Sequence, residues 1–392
     1  MSNTQKKNVP ELRFPGFEGE WEEKKLESII KVNSGKDYKH LDKGDIPVYG
    51  TGGYMTSVSE PLSEIDAVGI GRKGTINKPY LLEAPFWTVD TLFYCTPKKE
   101  TDILFILSLF RKINWKVYDE STGVPRLSKQ TINKINRFVP TNKEQQKIGK
   151  FFSKLDRQIE LQEQKLELLQ QQKKGYMQKI FSQELRFKDE NGNDYPEWEN
   201  VMLQKVLKDK TEGIKRGPFG GALKKDIFVE SGYAVYEQRN AIYNISNFRY
   251  YINENKYKEM QSFSVQPNDI IMSCSGTIGR LALIPHNYTK GIINQALIRF
   301  RTNHKIRSEF FLIFMRSNQM QRKILEANPG SAITNLVPVK ELKLIPFPLP
   351  VKFEQDKISQ FIHIINRRIE QSEKKIESLK NRKQGFLQKL FV

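Results

Sequence analysis

The sequence predicts an α+β chain in which two globular segments alternate with two long helices that form an antiparallel intramolecular coiled coil. Three observations carry this. Residues 143–181 return, without a gap, as residues 353–391. Both copies place apolar residues at alternating spacings of four and three, the period of a coiled-coil seam. The residues between them break into short strand-like runs punctuated by Gly and Pro, with a few buried-helix patterns.

In the first copy the seam runs through Ile148, Phe152, Leu155, Ile159, Gln162, Leu166, Leu169, Lys173, Tyr176 and Ile180. In the second it runs through Ile358, Ile362, Ile365, Ile369, Ser372, Ile376, Leu379, Lys383, Phe386 and Leu390. The polar interruptions fall at the same places. At 1.5 Å per residue each helix is roughly 58 Å long. A homodimer needs one such helix, whereas a chain with two supplies its own partner. Gln162 and Ser372 are expected to fix register. Lys173 and Lys383 are expected to reach water past their apolar stems. Gly175 and Gly385, near the helix ends, suggest close packing there.

A weaker repeat opens each half. Both ELRF runs, at 11–14 and 184–187, are followed by a Glu-Trp pair, Glu20-Trp21 and Glu197-Trp198. The chain therefore divides into residues 1–142, 143–181, 182–351 and 352–392, two tandem copies of a globular segment followed by a helix.

The first globular segment offers a strand at 45–49 entering the turn 50–53, and a strand at 67–70 leading into 71–76. A strand at 86–94, a buried helix at 103–110, a loop at 121–126 and an exit strand at 135–140 follow. The second offers a basic glycine loop at 215–221, a strand at 233–238 with Arg239 and Asn240 at its end, and a strand at 269–272 leading into 273–280. Then come a strand at 291–300, a buried helix at 310–315, a loop at Asn328, Pro329, Gly330 and Ser331, and an exit strand at 344–350.

The net charge is +19. It divides as +3, +4, +7 and +5 over the four divisions, so no single tail carries it. A distributed basic surface points to an acidic partner, nucleic acid first. Two cysteines, Cys95 and Cys274, are too few for a disulfide framework or a zinc knuckle, and the cytoplasm is the expected compartment. No apolar run reaches membrane-spanning length, and the polar start of the sequence does not read as a signal peptide. There is no phosphate-binding GxxxxGK[ST] run, no GxGxxG and no Asn-Pro-Pro-aromatic or Asp-Pro-Pro-aromatic motif. The four histidines lack metal-ligand spacing. No cofactor or metal site is expected in this chain.

Candidate DNA-binding residues follow from the loops. Glycine turns after strands let main-chain N–H groups approach phosphates, and neighbouring cations add charge. On that ground the first half offers Arg72, Lys73 and Thr75, with Arg126 in a nearby loop. Lys36, Tyr38, Lys39 and His40 interleave basic and aromatic groups, and Tyr49, Thr51 and Tyr54 flank the next turn. The second half offers Arg216, Phe219, Lys224, Lys225, Gln238, Arg239 and Asn240, with Ser275, Thr277 and Arg280 on the matching turn. Arg pairs bidentately with guanine, and Gln or Asn with adenine. Each residue alone also fits an ordinary solvated surface, and a Gly-Thr turn an ordinary scaffold.

The tandem duplication, the ELRFPGF…GEW opening, the helix ends KGYMQKIF and KQGFLQKLF, and the helix entries Pro140, Glu144, Gln145, Ile148 and Pro350, Glu354, Gln355, Ile358 resemble the specificity subunit of type I restriction–modification enzymes. The resemblance spans essentially the whole chain and is most specific in the helices. It implies two target-recognition domains, each reading one half of a bipartite double-stranded DNA sequence, with the helices setting the spacing. It also implies docking of two methyltransferase subunits, joined by restriction subunits. S-adenosylmethionine, ATP and Mg would then be used by those partners. Two other classes compete: a stand-alone coiled-coil DNA-binding protein without a methyltransferase partner, and an enzyme with its own nuclease or methyltransferase centre. The missing motifs weigh against the latter.

Overall fold

The computed structural model describes residues 8–209, 211–219, 221–327 and 334–392. The loop expected at Asn328, Pro329, Gly330 and Ser331 lies outside the described residues. The two long helices are unbroken, Asn142–Phe181 and Lys352–Lys389. The chain forms two compact units: 1–166 with 371–392, and 167–370. Each unit therefore holds one globular segment and a stretch of both helices.

In the first unit the helices run antiparallel, with Glu163 paired to Lys380 and Phe151 packed edge-on against Phe386. A four-stranded antiparallel sheet has the order Ile30–Ser34, Leu92–Pro97, Ala67–Gly71, Tyr80–Leu82. A smaller sheet pairs Gly53–Val58 with Ile46–Gly50, and the latter runs parallel to Trp87–Thr88. Strands Glu22–Lys25 and Asn136–Val139 pair antiparallel and close the segment. Helix Ile103–Lys112 is apolar on most faces because it is covered on most faces: Phe105, Ile106, Leu109 and Phe110 are buried in one core with Ile148, Phe152, Leu155, Leu387, Leu390 and Phe391.

The second unit repeats the plan. Its four-stranded sheet has the order Ile214–Arg216, Leu297–Phe300, Ile270–Ser273, Leu281–Leu283, again antiparallel. Its smaller sheet holds Tyr233–Tyr236 parallel to Gly291–Ile293, with Tyr251–Ile252 and Phe228–Val229 on the other side. Glu199–Met202 and Pro346–Leu349 close the segment. Helix Ser308–Met315 buries Phe310, Phe311 and Phe314 with Ile180, Ile358 and Ile362 of the long helices. The helices are antiparallel here too, with Tyr176 edge-on against Phe361.

The apolar seam is confirmed by burial, Ile148, Phe152, Ile358, Ile362, Ile376 and Leu379 among others being buried. Six expectations change. The strand expected at 86–94 is two strands in different sheets, broken at Val89, Asp90 and Thr91, and the strand expected at 291–300 breaks in the same way at Asn294, Gln295 and Ala296. Apolar alternation continues through each break because both flanking strands are buried. The loop expected at 215–221 starts as a strand, Ile214–Arg216, and the strand at 233–238 stops at Tyr236, giving way to the short helix Gln238–Tyr243. Lys383 does not run out to water: it pairs with Asp156 at 2.5 Å. A Cβ added at Gly175 or Gly385 meets open space, so neither glycine serves close packing.

Candidate nucleic-acid interface

The two halves build the same corner. In the first, the chain leaves the small sheet at Thr88, crosses 89–91 and enters the large sheet at Leu92. Three main-chain bonds pin the crossover: Val89 N–H donates to Tyr49, Leu92 N–H to Val89, and Arg72 N–H to Thr91. In the second half Asn294 donates to Tyr236, Leu297 to Asn294, and Cys274 to Ala296. A glycine seals each crossover, because a Cβ on Gly35 would lie 2.0 Å from the Val89 oxygen, and one on Gly217 1.8 Å from the Asn294 oxygen. Only glycine lets the chain pass so close.

The repeated turns sit beside these crossovers. Gly74 and Gly276 both adopt left-handed backbone, with φ of +83° and +64°. Where Gly71 packs directly on the Thr75 carbonyl, Ser273 stands at the matching place and donates its hydroxyl to the Thr277 carbonyl. One scaffold thus carries two different sets of side chains.

In the first unit the corner collects Arg72, Lys73 and Arg126. Lys73 and Arg126 bridge antiparallel, and Gly74 N–H donates to the Pro125 carbonyl. Asp119 organises the arriving loop. Its carboxylate accepts from the main-chain N–H of Arg126 and from Ser121, which holds it below the usual carboxylate range. Lys73, Thr75, Arg126, Lys36 and Lys39 are exposed, and Arg72 and Thr51 partly so. Tyr49 packs edge-on against Tyr54, which is 64% exposed. Tyr38 is half-buried against Val48, Val58 and Trp87, and His40 stands edge-on to Trp87. These two rings therefore brace the small sheet while the lysines beside them face solvent.

In the second unit Gln238, Arg239 and Ser275 line one cleft together with Glu237, Arg249 and Asn294. The Ser275 hydroxyl donates to the Gln238 side-chain oxygen at 3.2 Å. Arg216 and Phe219 line a neighbouring hollow, and Phe219 is 87% exposed. Lys224 and Lys225 are exposed at the short 3-10 turn Lys225–Ile227, and Thr277 and Arg280 are exposed on the repeated turn. Cys274 is buried, and burial raises its thiol pKa, so it serves as a small packing residue.

Asn240 is a correction. It is 2% exposed. Its oxygen accepts from Glu237 N–H and its amide donates to the carbonyls of Ile245 and Asn247. A side chain committed in this way folds the loop and has no capacity left for a base edge. Sequence reasoning also missed four residues at the corner: Asp90 and Gln295 on the crossovers, and Arg249 with its bidentate partner Glu237. No local pattern set these four apart from their neighbours.

A family model described as the type I restriction modification DNA specificity domain matches this chain twice, over residues 18–171 and 218–381. The chain belongs to that family. Among curated relatives, the putative type I restriction enzyme MjaX specificity subunit of Methanocaldococcus jannaschii is 25% identical over 297 residues, covering 74% of this chain and 67% of the relative. The type I restriction enzyme MjaVIII specificity subunit of the same organism is 24% identical over 349 residues, covering 84% and 76%. The solved S subunit of a type I restriction–modification system from M. genitalium shares the fold, with a TM-score of 0.63 and 15% identity over 98% of this chain and 99% of that one. A chain solved in a study of complex assembly and conformational transition of the type I system gives 0.56 and 14%, over 94% and 97%. A specificity subunit is the non-catalytic, DNA-recognising component of a restriction–modification complex. Among the described residues no helix is long and apolar enough to cross a membrane.

Proposed function

We propose that this specificity subunit reads a bipartite double-stranded DNA target, one half-site per globular segment, and that its helices set the non-specific spacer. Two methyltransferase subunits dock on it and restriction subunits join that core. S-adenosylmethionine, ATP and Mg are used by those partners, in the cytoplasm. The observation that carries this reading is the repeated corner: two copies of one pinned backbone carry different exposed side chains. That is the form expected of a scaffold reading two different short sequences. Phosphate contacts come from Arg72, Lys73 and Arg126 in the first half and from Arg216, Lys224, Lys225 and Arg280 in the second. Base edges fall to residues such as Gln238 and Arg239.

The test is to co-express the chain with a methyltransferase subunit and map the methylated sequence. Two short specific blocks around a spacer are expected, with no methylation by either protein alone. Methylation by this chain alone, or a single uninterrupted site, contradicts the proposal. Inserting four residues after Gln170 adds roughly 6 Å of helix and is expected to lengthen the spacer by about one or two base pairs at 3.4 Å per pair, with both blocks unchanged.

A further inference from the structure

We propose that the crossover residues Asp90 and Gln295 are the matched specificity determinants of the two halves, Asp90 reading a cytosine and Gln295 an adenine. This rests on the reading of the corners as DNA-facing. The two residues occupy one structural position. Each is the middle residue of a three-residue crossover whose flanking main chain makes the same bonds, Val89 to Tyr49 and Arg72 to Thr91 in one half, Asn294 to Tyr236 and Cys274 to Ala296 in the other. Gly35 and Gly217 press on the carbonyl just before them. The backbone is thus fixed, while both side chains are exposed and neither forms a hydrogen bond with a described residue. A pinned backbone carrying an uncommitted polar side chain is what base reading needs, because little order remains to be imposed on binding.

The charge at Asp90 sharpens the argument. Arg72 donates to the Asp90 carbonyl, and Lys36, Lys73 and Arg126 are exposed in the same unit. Yet the Asp90 carboxylate forms no ion pair with a described residue. On a surface that meets phosphates a free carboxylate is repelled, unless it accepts a hydrogen bond from the DNA. A carboxylate only accepts, and the cytosine N4 amino group only donates in the major groove. The Gln295 amide both donates and accepts, which matches adenine N7 and N6.

The experiment selects bound sequences from a pool of duplexes randomised over 20 base pairs, using the full chain and three variants. Asp90→Asn is expected to move one base of one block from cytosine toward adenine, with the other block unchanged. Gln295→Glu is expected to make the reciprocal change in the other block. Asp90→Ala is expected to lose roughly tenfold to hundredfold discrimination at that same base. If the wild-type chain selects two blocks and the variants select the same two, this inference is overturned and the bipartite reading stands. If the wild-type chain selects no consensus, the bipartite reading falls and takes the inference with it. Circular dichroism of each variant identifies any loss that comes from misfolding, and the reciprocal variant then decides the question.

Discussion

The guanidinium of Arg13 grips both carboxylate oxygens of Glu144, 131 positions along the chain, at 2.8 and 2.7 Å. Arg186 grips Glu354 in the same way at 3.2 and 2.9 Å. The two ELRF runs and the two Glu-Gln helix entries are therefore halves of one clamp, made twice. The neighbouring glutamines complete it: Gln145 accepts from Asp102 N–H, and Gln355 from Arg307 N–H, at the starts of the two buried helices. Each clamp seats a globular segment on its long helix.

Removing Arg13 strands a carboxylate whose side chain is 1% exposed. Arg13→Ala is expected to cost about 3–5 kcal/mol, the usual loss for breaking a buried pair from one side. Arg186→Ala should cost less, because Trp198 still donates to Glu354 at 2.8 Å. Urea unfolding of the two variants measures the difference, and equal losses contradict the account. The bond to Glu144 raises the Arg13 pKa above its ordinary value. Its stabilisation is thus fully present at neutral pH and is lost only as pH rises from the unfolded-state value through the raised folded-state value.

Gly175→Ala and Gly385→Ala should each stabilise the chain by about 0.8–1 kcal/mol, the helix-interior penalty of glycine, because an added methyl meets open space at both sites. A loss of stability in thermal unfolding shows that the space is used.

The half-buried lysines should respond in the same direction but to different extents. Burial lowers the pKa of both, and Arg316 adds to the shift at Lys173 as Arg111 does at Lys383, but only Lys383 has Asp156 opposing it. Lys173→Met should raise the unfolding midpoint, and Lys383→Met should raise it less, because it gives up the pair with Asp156, which keeps Arg111. A lysine whose folded-state pKa is depressed penalises folding below that value, and the penalty disappears above the unfolded value near 10.4. The gain from Lys173→Met should therefore shrink as pH rises toward 10. A gain independent of pH would falsify the electrostatic part of this explanation.

Phosphate contacts and base contacts should separate in binding assays. Lys73→Ala is expected to weaken binding to all sequences about equally and to reduce the salt slope by about one unit. Arg239→Ala is expected to relax discrimination at one base by about 1–3 kcal/mol. Identical behaviour of the two variants removes the distinction.

Much of this fold was legible because its signals are local or periodic. The seam from Ile148 to Ile180 shows in spacing alone, and the duplication shows in the repeated Glu144-Gln145 and Glu354-Gln355. What those repeats do was not legible, since Arg13 and Glu144 meet only through the fold. The crossovers at Asp90 and Gln295 hid inside apolar runs that two different sheets bury. Asn240 carries the right chemistry for a base, but Glu237, Ile245 and Asn247 take up its hydrogen bonds, which no local pattern announces. Gly175 misled because a glycine in a helix can mark close approach or simply an empty surface.

The central claim is that each globular segment reads its own half-site. Strands Glu22–Lys25 and Asn136–Val139 close the first segment on itself, so residues 22–139 can be exchanged for those of a relative while Arg13, Glu144 and Gln145 stay in place. The measurement is the methylated sequence of the exchanged chain, co-expressed with its methyltransferase subunits. The account predicts that one block changes to that of the donor while the other block keeps its sequence. A change in both blocks, or in neither, contradicts it.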